Sequence, residues 1–290
     1  MIELEQLVLD KVVDYSSNLH FVAGHITRDG TLLLMESDCK EFDFFERPVR
    51  KRDWIIRMVK GESIETVELK NVRLIPTEID VFTDGTLLIV QSRCLKEGNV
   101  IERNARRYNR NGQLIEAFTL GDGISHIQID ETDTIWVSYF DEGIFGNFGW
   151  EDPVGSAGLN AFTMNGQKLW SIRNDGIIDC CALNVVSSKE VYYFYYDDFH
   201  LIQLSDRKEV LRYRVEGEDS LDQFIFDQSG IIGQLDTYTL MRYQLNKKTL
   251  RKKEKLQLVD TAGKQINGPV FMRGTFLYAY GKDGIYGRLY

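Results

Sequence analysis

The chain has 290 residues and a formal net charge of −9, a balance that excludes broad phosphate-backbone binding and, with it, nucleic acid as an expected partner. Hydrophobic residues make up 43% and aromatics 12%, with only 4 Pro and no Ser/Gly/Pro-rich tract, so a packed core is expected and long disorder or an internal linker is not. No apolar stretch approaches the roughly 20 residues that cross a bilayer, and the acidic start MIELEQLVLDKVVDY lacks a secretory signal pattern, so the expectation is a soluble cytoplasmic protein with no membrane partner.

In chain order, the first predicted element is a strand from Leu4 to Val13. A strand-turn-strand unit then returns six times: HITRDGTLLLME at His25, IDVFTDGTLLIV at Ile79, IQIDETDTIWVS at Ile127, ALNVVSSKEVYYF at Ala182, FIFDQSGIIGQL at Phe224 and PVFMRGTFLYAY at Pro269. Aligned on the turn, the copies place Gly30, Gly85, Asp133, Lys189, Gly230 and Gly274 at separations of 55, 48, 56, 41 and 44 residues, a spacing that belongs to propeller blades. Further hairpins follow most copies. Asn-Gly turns occur in RYNRNGQLIEAF at Arg107 and NAFTMNGQKLWSI at Asn160, and turns near Asp206 and Asn246 divide the later ones. The expected fold is therefore an all-β, six-bladed β-propeller with four-stranded antiparallel blades, one domain over residues 1–290. Its ring is closed by the N-terminal strand joining the last blade, which otherwise runs short of an outer strand.

Two segments depart from the blade pattern. The stretch from Asp141 to Asp152, within DEGIFGNFGWEDPVGSAG, is too long for a connecting turn and mixes Asp141, Glu142, Asn147, Trp150 and Asp152 with Phe145 and Phe148, a composition suited to a ligand- or partner-facing loop. The segment Phe42–Trp54, FDFFERPVRKRDW, reads either as an outer hairpin with a charged edge or as a cover over the same face. Local basic runs such as Lys247–Lys255 read as solvated hairpin ends that discourage edge pairing. The four cysteines have no zinc spacing and read as reduced packing residues, with Cys180 and Cys181 on opposite faces of a strand.

Seven residues before each turn stand Ala23, Glu78, His126, Ala182, Gln223 and Asn267, positions from which polar side chains could converge at a channel mouth. Glu78, Asp179 and Asn267 are oxygen donors suited to a divalent cation such as Ca²⁺, and Glu78, His126 and Asp179 are candidate catalytic groups. A closed polar tunnel without chemistry uses the same residue types.

The repeated DGTLL and NGQL elements over essentially the whole chain resemble the six-bladed propeller superfamily that includes the NHL-repeat, TolB-like and gluconolactonase-like proteins. The segment beginning GDGISHIQIDETDTIWVSYF is similar to one found in uncharacterised bacterial propeller proteins. The gluconolactonase-like resemblance implies an acidic and amide metal cluster at the channel mouth, to which only Glu78, Asp179 and Asn267 could correspond, whereas His126 and Gln223 depart from it. The leading expectation is a scaffold that binds a protein or small-molecule ligand on one face. The alternative is a metal-dependent hydrolase of lactones or esters.

Overall fold

The computed structural model describes residues 3–173, 176–217, 220–237 and 239–290. The chain folds as two compact units, an internal one of residues 18–60 and 64–180 and a terminal one of residues 1–17, 61–63 and 181–290.

At the N-terminus, Leu4–Val13 is not one strand. It divides into β1 (Glu3–Val8) and β2 (Asp10–Asp14), with Leu9 between them donating its N–H to the Val259 carbonyl at 2.9 Å. The split lets one segment serve two sheets, as described below.

The internal unit carries three four-stranded antiparallel meanders. The first comprises β3 (His20–Ile26), β4 (Leu32–Ser37), β5 (Arg52–Lys60) and β6 (Ser63–Val72). The second opens with β7 (Glu78–Val81) and β8 (Leu87–Val90), is interrupted by a small hairpin of β9 (Lys96–Glu97) and β10 (Val100–Ile101), and ends with β11 (Ala105–Tyr108) and β12 (Leu114–Phe118). The third comprises β13 (Ile124–Ile129) and β14 (Ile135–Tyr139), then the five-residue helix α1 (Asp141–Phe145), then β15 (Leu159–Phe162) and β16 (Lys168–Ser171).

In the terminal unit, β17 (Ala182–Ser187), β18 (Glu190–Tyr195), β19 (His200–Ser205) and β20 (Lys208–Val215) form one meander. Another contains β21 (Gln223–Phe226), β22 (Gly230–Asp236), β23 (Thr239–Asn246) and β24 (Thr249–Val259). A short parallel pairing of Arg214–Val215 with Thr249–Leu250 joins the two into one sheet, and β1 runs parallel along the rest of β24. The last strands, β25 (Val270–Arg273), β26 (Phe276–Gly281) and β27 (Gly284–Leu289), take β2 as their outer strand through Asp10↔Gly287 and Lys11↔Tyr286.

All six repeated sequence units form the first hairpin of a meander, with the registers that apolar alternation requires. Second strands such as LLLMES in β4 and IWVSY in β14 are buried throughout, because both faces are covered. Last strands such as β6 and β12 are partly exposed, which fits their polar and charged content. Gly30 and Gly85 take φ of 80° and 82° at the hairpin turns, and Asp133 takes 62° at the equivalent place, a backbone region that Asp tolerates better than most residues. The core of the internal unit gathers around Trp54, Leu69, Ile79 and Ile89. That of the terminal unit gathers around Leu7, Leu9, Ile232 and Leu277, with a neighbouring cluster at Phe194, Phe224 and Tyr243. Cys180 and Cys181 lie ahead of β17 rather than in a strand, and the four cysteines are free thiols.

Candidate functional site

In an antiparallel meander the link from the second strand to the third lies at the end where the first strand begins. In the internal unit all three such links are long: residues 38–51, 91–104 and 140–158. Only Arg52, Asp53 and Trp54 of the Phe42–Trp54 segment enter β5, so its remainder belongs to the first link and not to an outer hairpin.

Arg93 ties the three links together. Its side chain is buried, pairs with Asp122 at 3.0 Å and with Glu142 of α1, and lies with its guanidinium carbon 5.0 Å from the Phe45 ring centre, 5.6 Å from Phe140 and 5.4 Å from Phe148. Burial weakens Arg93's hold on its proton and raises the Asp122 carboxyl, and each partner's charge offsets the shift in the other. Asp122 Oδ1 also accepts the Cys94 N–H at 2.6 Å, fixing the start of the second link. Arg47 pairs with Glu102, donates to the Glu46 carbonyl at 2.8 Å and covers the Phe148 ring at 5.0 Å. Phe45 meets Phe148 edge to face at 5.6 Å, so the first link does pack over the third.

Trp150 is the anchor of the third link. The sequence suggested a partner-facing residue, but it is only 7% exposed, donates its indole N–H to the Cys94 carbonyl at 2.6 Å and has Lys96 Nζ 5.2 Å from its ring centre. Gly149 explains the close fit, since a Cβ there would sit 1.8 Å from the Lys96 carbonyl oxygen. Asp141, Asn147 and Asp152 are exposed as expected and Glu142 is half-buried against Arg93. Among the described residues of these links, Phe145 at 64%, Phe45 at 57% and Phe44 at 38% are the rings left to solvent.

The inner strands of the same unit hold a second group. Glu78 begins β7 with its side chain 16% exposed, and its Oε2 accepts the Ile127 N–H of β13 at 3.2 Å and stands 3.9 Å from His126 Nδ1. Burial pushes the Glu78 carboxyl up to about 8, and the nearby Asp80 charge acts in the same direction. Asp80 is fully buried, accepts the Ile129 N–H at 2.6 Å and the Val81 N–H at 2.8 Å, and lies 3.7 Å from His25 Nε2. These carboxylates bind the edge of β7 to the backbone of the next meander's first strand. In the terminal unit Gln223 does the same with amide chemistry, accepting the Met272 N–H at 2.9 Å, and Asn184 donates to the Phe224 carbonyl at 3.0 Å.

The other two donors proposed for a cation lie in loops ahead of strands. Asp179 is half-buried ahead of β17, and Asn267, in the terminal unit, is exposed just before β25 and accepts a bond from Gln265 at 3.0 Å. Among the described residues no group of three His, Cys, Asp or Glu side chains stands in metal-holding geometry, and Glu78 engages a backbone N–H through Oε2. The sequence reading missed Arg93, Asp122 and Asp80. The signal for Asp80 was a charge in the middle of an apolar inner strand, IDV, but an arginine in a loop segment such as QSRCL carries no such mark.

No family model matches the chain, and no curated protein matches it. Among solved structures, virginiamycin B lyase from Staphylococcus aureus is similar over 97% of this chain and 98% of its own, at 11% identity and a TM-score of 0.52. The PQQ-bound aldose sugar dehydrogenase from Streptomyces coelicolor is similar over 97% and 96%, at 12% identity and 0.53, and a chain of the mitotic checkpoint complex over 95% and 77%, at 7% and 0.54. At such identity the likeness defines the fold alone, and that fold is an all-β propeller. No helix of the described residues is long and apolar enough to cross a membrane.

Proposed function

We propose that this chain is a six-bladed propeller, a single domain with four-stranded blades closed by the N-terminal segment, that acts in the cytoplasm as a scaffold binding a protein or small ligand through the three long links of its internal unit. The observation that carries this reading is the interlocked platform around Arg93, which holds Phe45, Phe145, Asp141, Asn147 and Asp152 at the surface of an ordered base. Rigid presentation of exposed aromatic rings lowers the ordering cost of binding. A photo-crosslinking residue placed at Asn147 tests it, with Leu114 on β12 as the exposed control. Adducts specific to Asn147 in cell extract are expected. Identical adduct patterns at both positions, or none at Asn147, overturn the reading.

A second reading is favoured by one observation, the contact of Glu78 with His126, in which a carboxyl poised to exchange a proton near neutral pH faces an imidazole that is 27% exposed. Such a pair suits general acid–base hydrolysis of a lactone or ester. A substrate screen with Glu78→Gln as the control tests it: turnover lost in the variant supports hydrolysis, and turnover that persists removes Glu78 from the chemistry.

A further inference from the structure

Resting on the scaffold reading, we infer that the platform's ligand is a cationic peptide segment, taken by its arginine or lysine side chains onto the exposed ring of Phe145 beside the Asp141 carboxylate. Three observations carry this. Asp141 and Phe145 are four residues apart on α1, so a carboxylate and an aromatic ring stand side by side on one helical face, both exposed. The balance of charge on the three links is negative. Beyond the pairs Arg47–Glu102, Arg50–Glu46, Arg93–Asp122 and Arg93–Glu142, the three links carry seven further acidic side chains, Asp43, Asp141, Glu151 and Asp152 among them, against four basic ones, Lys40, Lys51, Lys96 and Arg103, and the Asp141 charge also acts on Arg93. The same surface also shows its preference internally, because its phenylalanine rings already hold guanidinium groups at 5.0 to 5.7 Å: Arg93 on Phe45, Arg47 on Phe148 and Arg52 on Phe42. An exposed ring beside the Asp141 carboxylate offers a further cation the same two attractions, the ring quadrupole and the charge.

The experiment is fluorescence anisotropy with a labelled peptide of alternating arginine and leucine. The comparison peptide replaces each arginine by citrulline, which keeps the shape and removes the charge. Saturable binding of the arginine peptide is expected, at least tenfold tighter than that of the citrulline peptide. It should weaken about threefold to tenfold in Phe145→Ala and in Asp141→Asn, be unaffected by Leu114→Ala, and decline as salt is raised. Phe145 and Asp141 are exposed, so unchanged thermal midpoints separate lost binding from lost fold. Equal affinity for the two peptides, no saturable binding of the arginine peptide, or binding insensitive to both substitutions overturns the inference. Should the arginine peptide fail while Asn147 still crosslinks a partner specifically, the cationic ligand is wrong and the scaffold stands. Should both fail, the platform is not a binding face.

Discussion

The two units use the same first hairpin and finish their sheets differently. In the internal unit the links between second and third strands span residues 38–51, 91–104 and 140–158, whereas the two fully described ones of the terminal unit span only 196–199 and 282–283. The contrast extends to how adjoining sheets are fastened. Internal first strands use carboxylates, Glu78 and Asp80, on backbone N–H groups, and terminal ones use the amides of Asn184 and Gln223. An amide makes such a link at every pH, but a buried carboxylate costs desolvation once ionised. The two links described in the terminal unit thus use groups that do not titrate, whereas those made by β7 in the internal unit use groups that do.

The largest test of this contrast removes residues 3–14. Leu7 and Leu9 are buried and β1 and β2 complete two terminal sheets, so the thermal midpoint should fall by on the order of 10 °C or more, and an unchanged midpoint would deny these strands their closing role. Next comes the platform. Arg93→Met leaves Asp122 and Glu142 without their cation, and Trp150→Ala empties a packed site, each costing about 3–5 kcal/mol in urea unfolding. A loss below about 1 kcal/mol in both would make the links loose appendages.

Glu78→Gln sharpens the contrast in fastening. With the native carboxyl pushed up to about 8 and the unfolded one near 4.5, the folded protein keeps a proton that the unfolded chain releases in between. The stability this group contributes is therefore complete below pH 4.5 and is lost as pH rises toward 8. The Gln variant should be more stable than wild type by on the order of 4 kcal/mol at pH 8 and equal to it near pH 4, as long as Asp80, His25 and His126, the other titratable groups at these strands, keep their states. A pH-independent difference would assign the effect to packing. The smallest effect belongs to Phe145→Ala, which should change stability by no more than about 0.5 kcal/mol because the ring is exposed.

Much of the architecture was readable because its signals are local. Turn residues such as Gly30, Gly85 and the Asn111–Gly112 pair mark hairpins wherever they stand, and alternation sets their register. The division of the N-terminal segment at Leu9 was not readable, since nothing in ELEQLVLDKVV says that two different partners, β24 and β27, wait for its halves. The Asp141–Asp152 link stood out by length and glycine content, yet its most conspicuous aromatic proved to be an anchor. Whether a tryptophan faces inward depends on a carbonyl at Cys94, fifty-six residues away. Arg93 stayed hidden for the same reason, because its meaning lies in Phe45, Asp122 and Glu142, which only the fold brings to it.

The divided N-terminal segment also sets an order of events during synthesis. Residues 3–14 leave the ribosome before the other described strands, but their partners β24 and β27 follow the whole internal unit, so this segment waits for them while the internal sheets gain all their strands. Until those partners emerge, the nascent protein carries an uncommitted strand bearing Leu7 and Leu9, and the terminal unit is finished only once β27 is free to pair. That interval is when this chain is most open to chaperones, and to the wrong partner.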